Sequence, residues 1–279
     1  MKKIIIFFAV FLFANDVSKP FEGLIKDYKD SETKQNVQQI FSKNFSLYPY
    51  YQNYLLPATW DFDKKNDRKE FETKFQISIM KPFLSNILGK NEIYFFAYTQ
   101  TSWWQTMEDS APFRENNYQP EMFVLFPMSK YHKNFDALIF GINHQSNGQS
   151  GKLSRSWNRI YTRFVFHKDK IIFNARLWYR IPERKKRYPN DTKGDDNPDI
   201  LDYLGYGDLR IGYPYKDNLL TSKIRYNPWT NKGAIEIGYS APLKNNIFLY
   251  CQYFYGYGES LIDYNRKVNK IGIGFEYSR

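Results

Sequence analysis

Residues 270–279 read KIGIGFEYSR. Taken alternately, Ile271, Ile273, Phe275 and Tyr277 fall on one side and Gly272, Gly274 and Glu276 on the other. Successive side chains of a strand point to opposite faces of its sheet, so this is a strand with one wholly apolar face. Similar segments recur upstream. Short aromatic-rich stretches, separated by polar turns, begin near Phe45, Phe71, Asn91, Tyr118, Phe135, Arg155, Lys170, Leu204, Asn218, Lys232, Asn246 and Val268. Each runs for roughly ten residues, the length that a tilted membrane strand needs.

Composition points the same way. Aromatic residues make up 19% of the chain, yet 25% of its 279 residues are charged. After the N-terminus no apolar run approaches the roughly 18–20 residues of a membrane helix. Abundant aromatics and abundant charge together suit a wall that is apolar outside and polar inside. The expected fold is all-β, a transmembrane antiparallel β-barrel of about 12 strands over residues 45–279. Closure satisfies every backbone polar group in lipid, which an open sheet cannot do.

The N-terminus carries Lys2 and Lys3 ahead of an apolar core from Ile4 to Phe13, too short to span a bilayer. That is the pattern of a secretory signal, expected over residues 1–14, with a polar N-terminal periplasmic extension over 15–44. Cys251 is the single cysteine, which excludes an intrachain disulfide framework, and the three histidines have no zinc-site spacing. The net charge of +11 is scattered over many turns, which argues against a nucleic-acid partner.

Alternation also tells which way the reactive groups look. Leu138, Phe140, Ile142, His144 and Ser146 share one face of their segment. In the next segment Asn158, Ile160, Thr162, Phe164 and Phe166 share a face, opposite Trp157, Arg159, Tyr161 and Arg163. An arginine facing lipid at the midplane costs about 2–4 kcal/mol, so Arg159 and Arg163 are expected in the lumen and Asn158 on the outer wall. Three polar groups then converge on the lipid side. A serine hydroxyl is a weak nucleophile until a base takes its proton; an imidazole is such a base, and a third group fixes its tautomer and orientation. Asparagine does this without placing a charge at the edge of hydrocarbon, where a carboxylate is costly. An ester that reaches such a site from the bilayer is a lipid ester. His144 and Ser146 also read as ordinary interfacial polar residues at a barrel rim, and a passive channel lined by Arg159 and Arg163 or a loop-based binding protein are the rival functions. The run ERKKR at 183–187 is a solvated basic loop or a contact for anionic headgroups.

From about residue 50 to its end the sequence closely resembles the outer membrane phospholipase A family of Gram-negative bacteria. The stretches that carry the resemblance are YTQTSWWQ (98–105), APFRENNYQPE (111–121), NHQSNGQS (143–150), SRSWNRIYTR (154–163), DDNPDI (195–200) and YGESLIDYN (257–265). The resemblance implies a calcium-dependent enzyme of the bacterial outer membrane, active as a homodimer, that hydrolyses acyl esters of phospholipids at the A1 and A2 positions and lysophospholipids too. It puts the nucleophile on Ser146, the general base on His144 and the orienting group on Asn158. It puts Ca2+ between subunits, held by the Ser110 hydroxyl of one and the backbone carbonyls of Gln149 and Ser154 of the other. The Ser146 backbone N–H and a calcium-held water would stabilise the oxyanion. Gln100 falls on a position that bonds across the dimer face. Asp196 falls on an acidic position of a second calcium site whose other carboxylate is replaced here by Gly151. Apart from the resemblance, the outer basic loop at 183–187 is a candidate contact for lipopolysaccharide.

Overall fold

The computed structural model describes residues 47–63, 69–129, 131–188, 191, 194–244 and 247–278. The expected signal (1–14) and extension (15–44) lie outside the described residues.

Thirteen strands form among the described residues: β1 (Tyr48–Pro49), β2 (Asn53–Asp61), β3 (Phe71–Ser85), β4 (Ile93–Trp104), β5 (Phe113–Pro127), β6 (Phe135–Ser146), β7 (Ser156–Lys168), β8 (Ile171–Ile181), β9 (Gly207–Tyr215), β10 (Asn218–Asn227), β11 (Lys232–Lys244), β12 (Ile247–Tyr257) and β13 (Lys267–Ser278). From β2 to β13 each strand pairs antiparallel with its sequence neighbour, and β13 pairs back onto β2. The result is the closed twelve-stranded barrel that alternation predicts. The short β1 pairs with Ile79 and Met80 of β3, just past the stretch that β2 covers, so β1 and β2 are two pieces of one interrupted stave. No helix among the described residues is long and apolar enough to cross a membrane; the chain crosses with strands.

Three expected strand starts move. The first, expected near Phe45 outside the described residues, is at Tyr48 for the short β1 and Asn53 for β2. The segment expected near Tyr118 begins at Phe113, because Glu115 and Asn117 belong to the strand and point inward. There they accept the backbone N–H groups of Ile262 at 3.0 Å and Leu261 at 2.9 Å. Polar residues that look like a turn in sequence are strand residues whose partners arrive from another loop. The segment expected near Leu204 begins at Gly207 instead; Ile200–Leu204 is a short helix, α1, that buries Ile200 and Leu204.

The two faces of the wall differ as the alternation requires. Ile77, Phe96, Phe140, Ile142, Ile160, Leu177, Ile271 and Ile273 are exposed on the outside. An apolar belt of that extent would be a liability in water and is the normal surface of a barrel in lipid. The lumen is filled by ionic side chains. Arg114 Nη1 donates to Asp263 at 2.7 Å and its Nε pairs with Glu72, while Lys270 Nζ donates to Glu259 at 2.8 Å. Glu259, Leu261, Asp263 and Tyr264 come from the connection between β12 and β13, so the YGESLIDYN stretch folds into the mouth as a plug. A cavity of about 90 Å3 remains among these side chains.

Candidate active site

The site grows out of the pairing of β6 with β7. Asn143 faces inward and accepts a hydrogen bond from Arg159, whose guanidinium lies 3.8 Å over the Trp157 ring. Arg163 donates to the hydroxyls of Tyr50 at 2.7 Å and Tyr51 at 2.6 Å. Both arginines are thus held in the lumen, as their cost in lipid demands. The alternate residues must then face outward, and the exposed Phe140, Ile142 and Ile160 do so. His144, Ser146 and Asn158 continue those two outward rows toward the loop end of the barrel.

His144 and Asn158 are direct partners across the two strands. His144 Nδ1 lies 2.9 Å from Asn158 Oδ1. A carbonyl oxygen only accepts, so Nδ1 carries a proton, and in the neutral ring the lone pair is then on Nε2. Ser146, two residues on, faces the same way, with Tyr118 and Ser156 as its strand partners. No hydrogen bond joins Ser146 to His144 in this structure; catalytic hydrogen bonds commonly close only when substrate is present. Below the trio the outer wall carries an apolar trough lined by Met122, Val124, Phe140, Ile142, Ile160 and Leu177.

Asn158 has a second partner that alternation along β6 and β7 did not suggest. Its Nδ2 donates to Glu183 Oε1 at 3.3 Å. Glu183 opens the basic run, and the signal that could have found it is the outward row Tyr179, Ile181, Glu183 at the end of β8. Burial first, and the Asp195 carboxylate second, push the Glu183 carboxyl above the usual carboxylate range.

The loop after β6 is organised by Asn147, also unpredicted. This buried side chain donates from Nδ2 to Leu153 O at 2.8 Å and accepts the backbone N–H of Arg155 at 2.9 Å. Gln149 and Ser154 therefore sit on a loop of defined shape, with Gly148 at φ 65° and Gly151 at φ 62°. The carbonyls of Lys152 (2.9 Å) and Ser154 (2.6 Å) converge on one cation, the Arg155 guanidinium. Ser110 is exposed in the connection between β4 and β5, where it and Ala111 take consecutive left-handed conformations, φ 60° and 38°. Such conformations persist only where the surroundings enforce them. Here Trp104 Nε1 donates to Ala111 O at 2.7 Å. A hydroxyl and two backbone carbonyls are hard oxygen donors of the kind calcium takes, with waters completing the shell. No cluster of three or more His, Cys, Asp or Glu side chains with metal-site geometry occurs among the described residues.

Asp196 is engaged by protein groups. It accepts the Ser154 hydroxyl at 2.5 Å and pairs with Lys186 Nζ at 2.5 Å. Gln100 lies on the outer wall, accepting from Tyr98 OH at 2.9 Å and donating to Ser102 Oγ at 3.1 Å. In the basic run, Arg184 pairs with Asp191 at 3.3 Å, so two of its cations are neutralised within their own loop.

Fold and site together define an outer-membrane β-barrel that fills its lumen with ionic side chains and carries His144, Ser146 and Asn158 on its outer wall. Comparison with known proteins makes the assignment specific. The phospholipase A1 family model matches residues 30–277. Phospholipase A1 of Escherichia coli strain K12 is 38% identical over 272 residues, which cover 91% of this chain and 90% of that protein. A Salmonella typhi outer membrane phospholipase, solved as a dimer with bound calcium, superposes with a TM-score of 0.75 at 39% identity, covering 84% of this chain and 93% of that one. An Escherichia coli outer membrane phospholipase A active-site mutant, in which an asparagine is replaced by alanine, superposes with a TM-score of 0.76 at 38% identity over 84% of this chain and 93% of that one. The chain belongs to the phospholipase A1 family. It is a phospholipid-hydrolysing esterase of the outer membrane.

Proposed function

We propose that the protein is a calcium-dependent serine hydrolase that cleaves acyl esters of phospholipids, at both the A1 and A2 positions, and of lysophospholipids. Residues 1–14 direct its export and 15–44 form a periplasmic extension. His144 Nε2 takes the proton of Ser146 as the hydroxyl attacks the ester carbonyl. Asn158 holds the ring in the tautomer that makes Nε2 the base and stabilises it as it becomes charged. The imidazolium then protonates the departing glycerol oxygen, leaving an acyl-serine. Water, deprotonated by the same imidazole, releases the fatty acid.

The observation that carries this reading is the 2.9 Å contact between His144 Nδ1 and Asn158 Oδ1 on the outer wall, with Ser146 on the same face. The apolar trough beneath the trio would receive acyl chains from the bilayer, which supports a lipid ester over a soluble one. The Ser110 hydroxyl of one subunit and the Gln149 and Ser154 carbonyls of the other would hold calcium, so the homodimer is the active form. Calcium held there would supply positive charge to stabilise the developing oxyanion. With Asp196 committed to Lys186 and Ser154, and Gly151 lacking a carboxylate, the proposal is limited to this one calcium site per active centre. Lipopolysaccharide contact falls to Lys185 and Arg187, which are exposed beside the two neutralised cations.

The deciding experiment is hydrolysis of diacyl phospholipid by purified protein in detergent, with calcium and with chelator, beside the Ser146→Ala variant. Wild type should turn over only with calcium and the variant not at all, with its barrel intact. A variant as active as wild type would end the proposal.

A further inference from the structure

We infer that Glu183 is a positioning residue for the hydrolysis, which holds the Asn158 amide in the one orientation that makes His144 a base. The inference rests on the proposed roles of Ser146, His144 and Asn158.

An asparagine amide has two ends of nearly equal shape and opposite hydrogen-bonding character. With Oδ1 toward His144, the ring carries its proton on Nδ1 and offers the Nε2 lone pair. Turned over, the amide would present Nδ2 to the ring, call for a lone pair on Nδ1, and shift the proton to Nε2. The base would be gone. The contact to His144 cannot choose between these states, because imidazole accommodates either by changing tautomer. The choice must come from the far end of the amide, and there Asn158 Nδ2 donates to Glu183 Oε1 at 3.3 Å. A carboxylate only accepts, so it attracts Nδ2 and repels Oδ1.

The fold puts this carboxylate within reach. Ile181 is the direct strand partner of Asn158, and Glu183 is the next residue on the same outward row. The chain beyond is pinned. Asp195 N donates to Arg184 O at 2.9 Å, and the Asp195 carboxylate accepts from Arg180 Nη2 at 2.5 Å. Gly194, at φ 127°, lies so close that a Cβ there would come within 2.9 Å of Arg184 O. Glu183 thus lies between Arg180 and Arg184, both of which are tied to Asp195. The arrangement also places charge sensibly. Asparagine, neutral, stands at the edge of the hydrocarbon, and the carboxylate stands beyond the end of β8, toward water, where ionisation is cheaper.

The test is a series at position 183 read on kcat and KM with diacyl phospholipid and saturating calcium. Glu183→Lys offers only donors and favours the wrong amide orientation. Glu183→Ala removes the preference, and Glu183→Gln keeps an acceptor. The expected order of kcat is wild type, Glu183→Gln, Glu183→Ala, Glu183→Lys, with at least about a tenfold loss at the end of the series and KM within about twofold, a tenfold change being about 1.4 kcal/mol of barrier. In an Asn158→Ala background the same substitutions should change kcat by less than about twofold, since the effect passes through Asn158. Glu183→Lys with wild-type kcat, or an equal loss in the Asn158→Ala background, would overturn the inference. A dead Ser146→Ala variant beside a flat series at 183 would remove only this inference, whereas an active Ser146→Ala variant would remove the catalytic reading beneath it.

Discussion

Gln100 and Ser146 stand at one level of the outer wall, each a direct strand partner of Tyr118. The group assigned to the dimer face and the group assigned to the chemistry are two strands apart, about 10 Å by ordinary sheet spacing. A partner barrel docked over Gln100 would therefore border the ester site. Within one chain Gln100 is satisfied by Tyr98 and Ser102. Its Nε2 donor can turn to a partner subunit's acceptor, since Ser102 Oγ keeps Asn116 as a second partner at 2.7 Å.

Gln100→Leu should therefore weaken the dimer by about 1 kcal/mol, the scale of a single side-chain hydrogen bond in a membrane. That is roughly a fivefold rise in dissociation constant. Sedimentation in detergent with calcium checks it, with activity followed over the same protein concentrations. A dimer as tight as wild type would remove Gln100 from the interface.

Asn158→Ala should lower kcat by between about tenfold and 10⁴-fold, the upper figure being that of a fully misoriented base. Binding of lipid should change little, because the amide faces His144 and Glu183. Single-turnover measurements separate the two. A variant with unaltered kcat would show that the histidine needs no orienting group.

Ser110→Ala should raise the calcium concentration needed for half-maximal activity, since one oxygen ligand is lost, and leave the maximal rate close to wild type. Titration with buffered calcium is the measurement. A superimposable titration curve would take Ser110 out of the metal site.

Acid should act on the turn before β4. Burial raises the Glu92 carboxyl, but backbone N–H groups outweigh it and leave Glu92 below the usual carboxylate range; Leu88 N donates at 2.7 Å and Lys90 N at 3.1 Å. A carboxylate with a depressed folded pKa contributes stability above its unfolded pKa and loses it as pH falls through the folded value. Glu92→Gln should be less stable than wild type at neutral pH, with the gap closing as pH falls from the ordinary carboxylate range through the lower folded value of Glu92. Urea unfolding in micelles across that range measures it. A gap independent of pH would contradict the assigned role.

Much of this was legible along the chain, for a local reason. The row Leu138, Phe140, Ile142, His144, Ser146 faces outward because the pleat alternates residue by residue, whatever lies beside it. Arg159 and Arg163 orient the next strand by their cost in lipid. What failed was polarity read as a turn. FRENN at 113–117 belongs to a strand because Glu115 and Asn117 find partners in the plug between β12 and β13. Other relationships around the site were equally hidden: Glu183 behind Asn158, and Tyr118 between Gln100 and Ser146.

By itself, then, the sequence determined that the chain is a barrel and which side of its wall each reactive group occupies. Only the tertiary structure decided which of those groups meet. Facing depends on one backbone period, while register depends on hydrogen bonds between strands that are distant in sequence and on the loops that set their stagger.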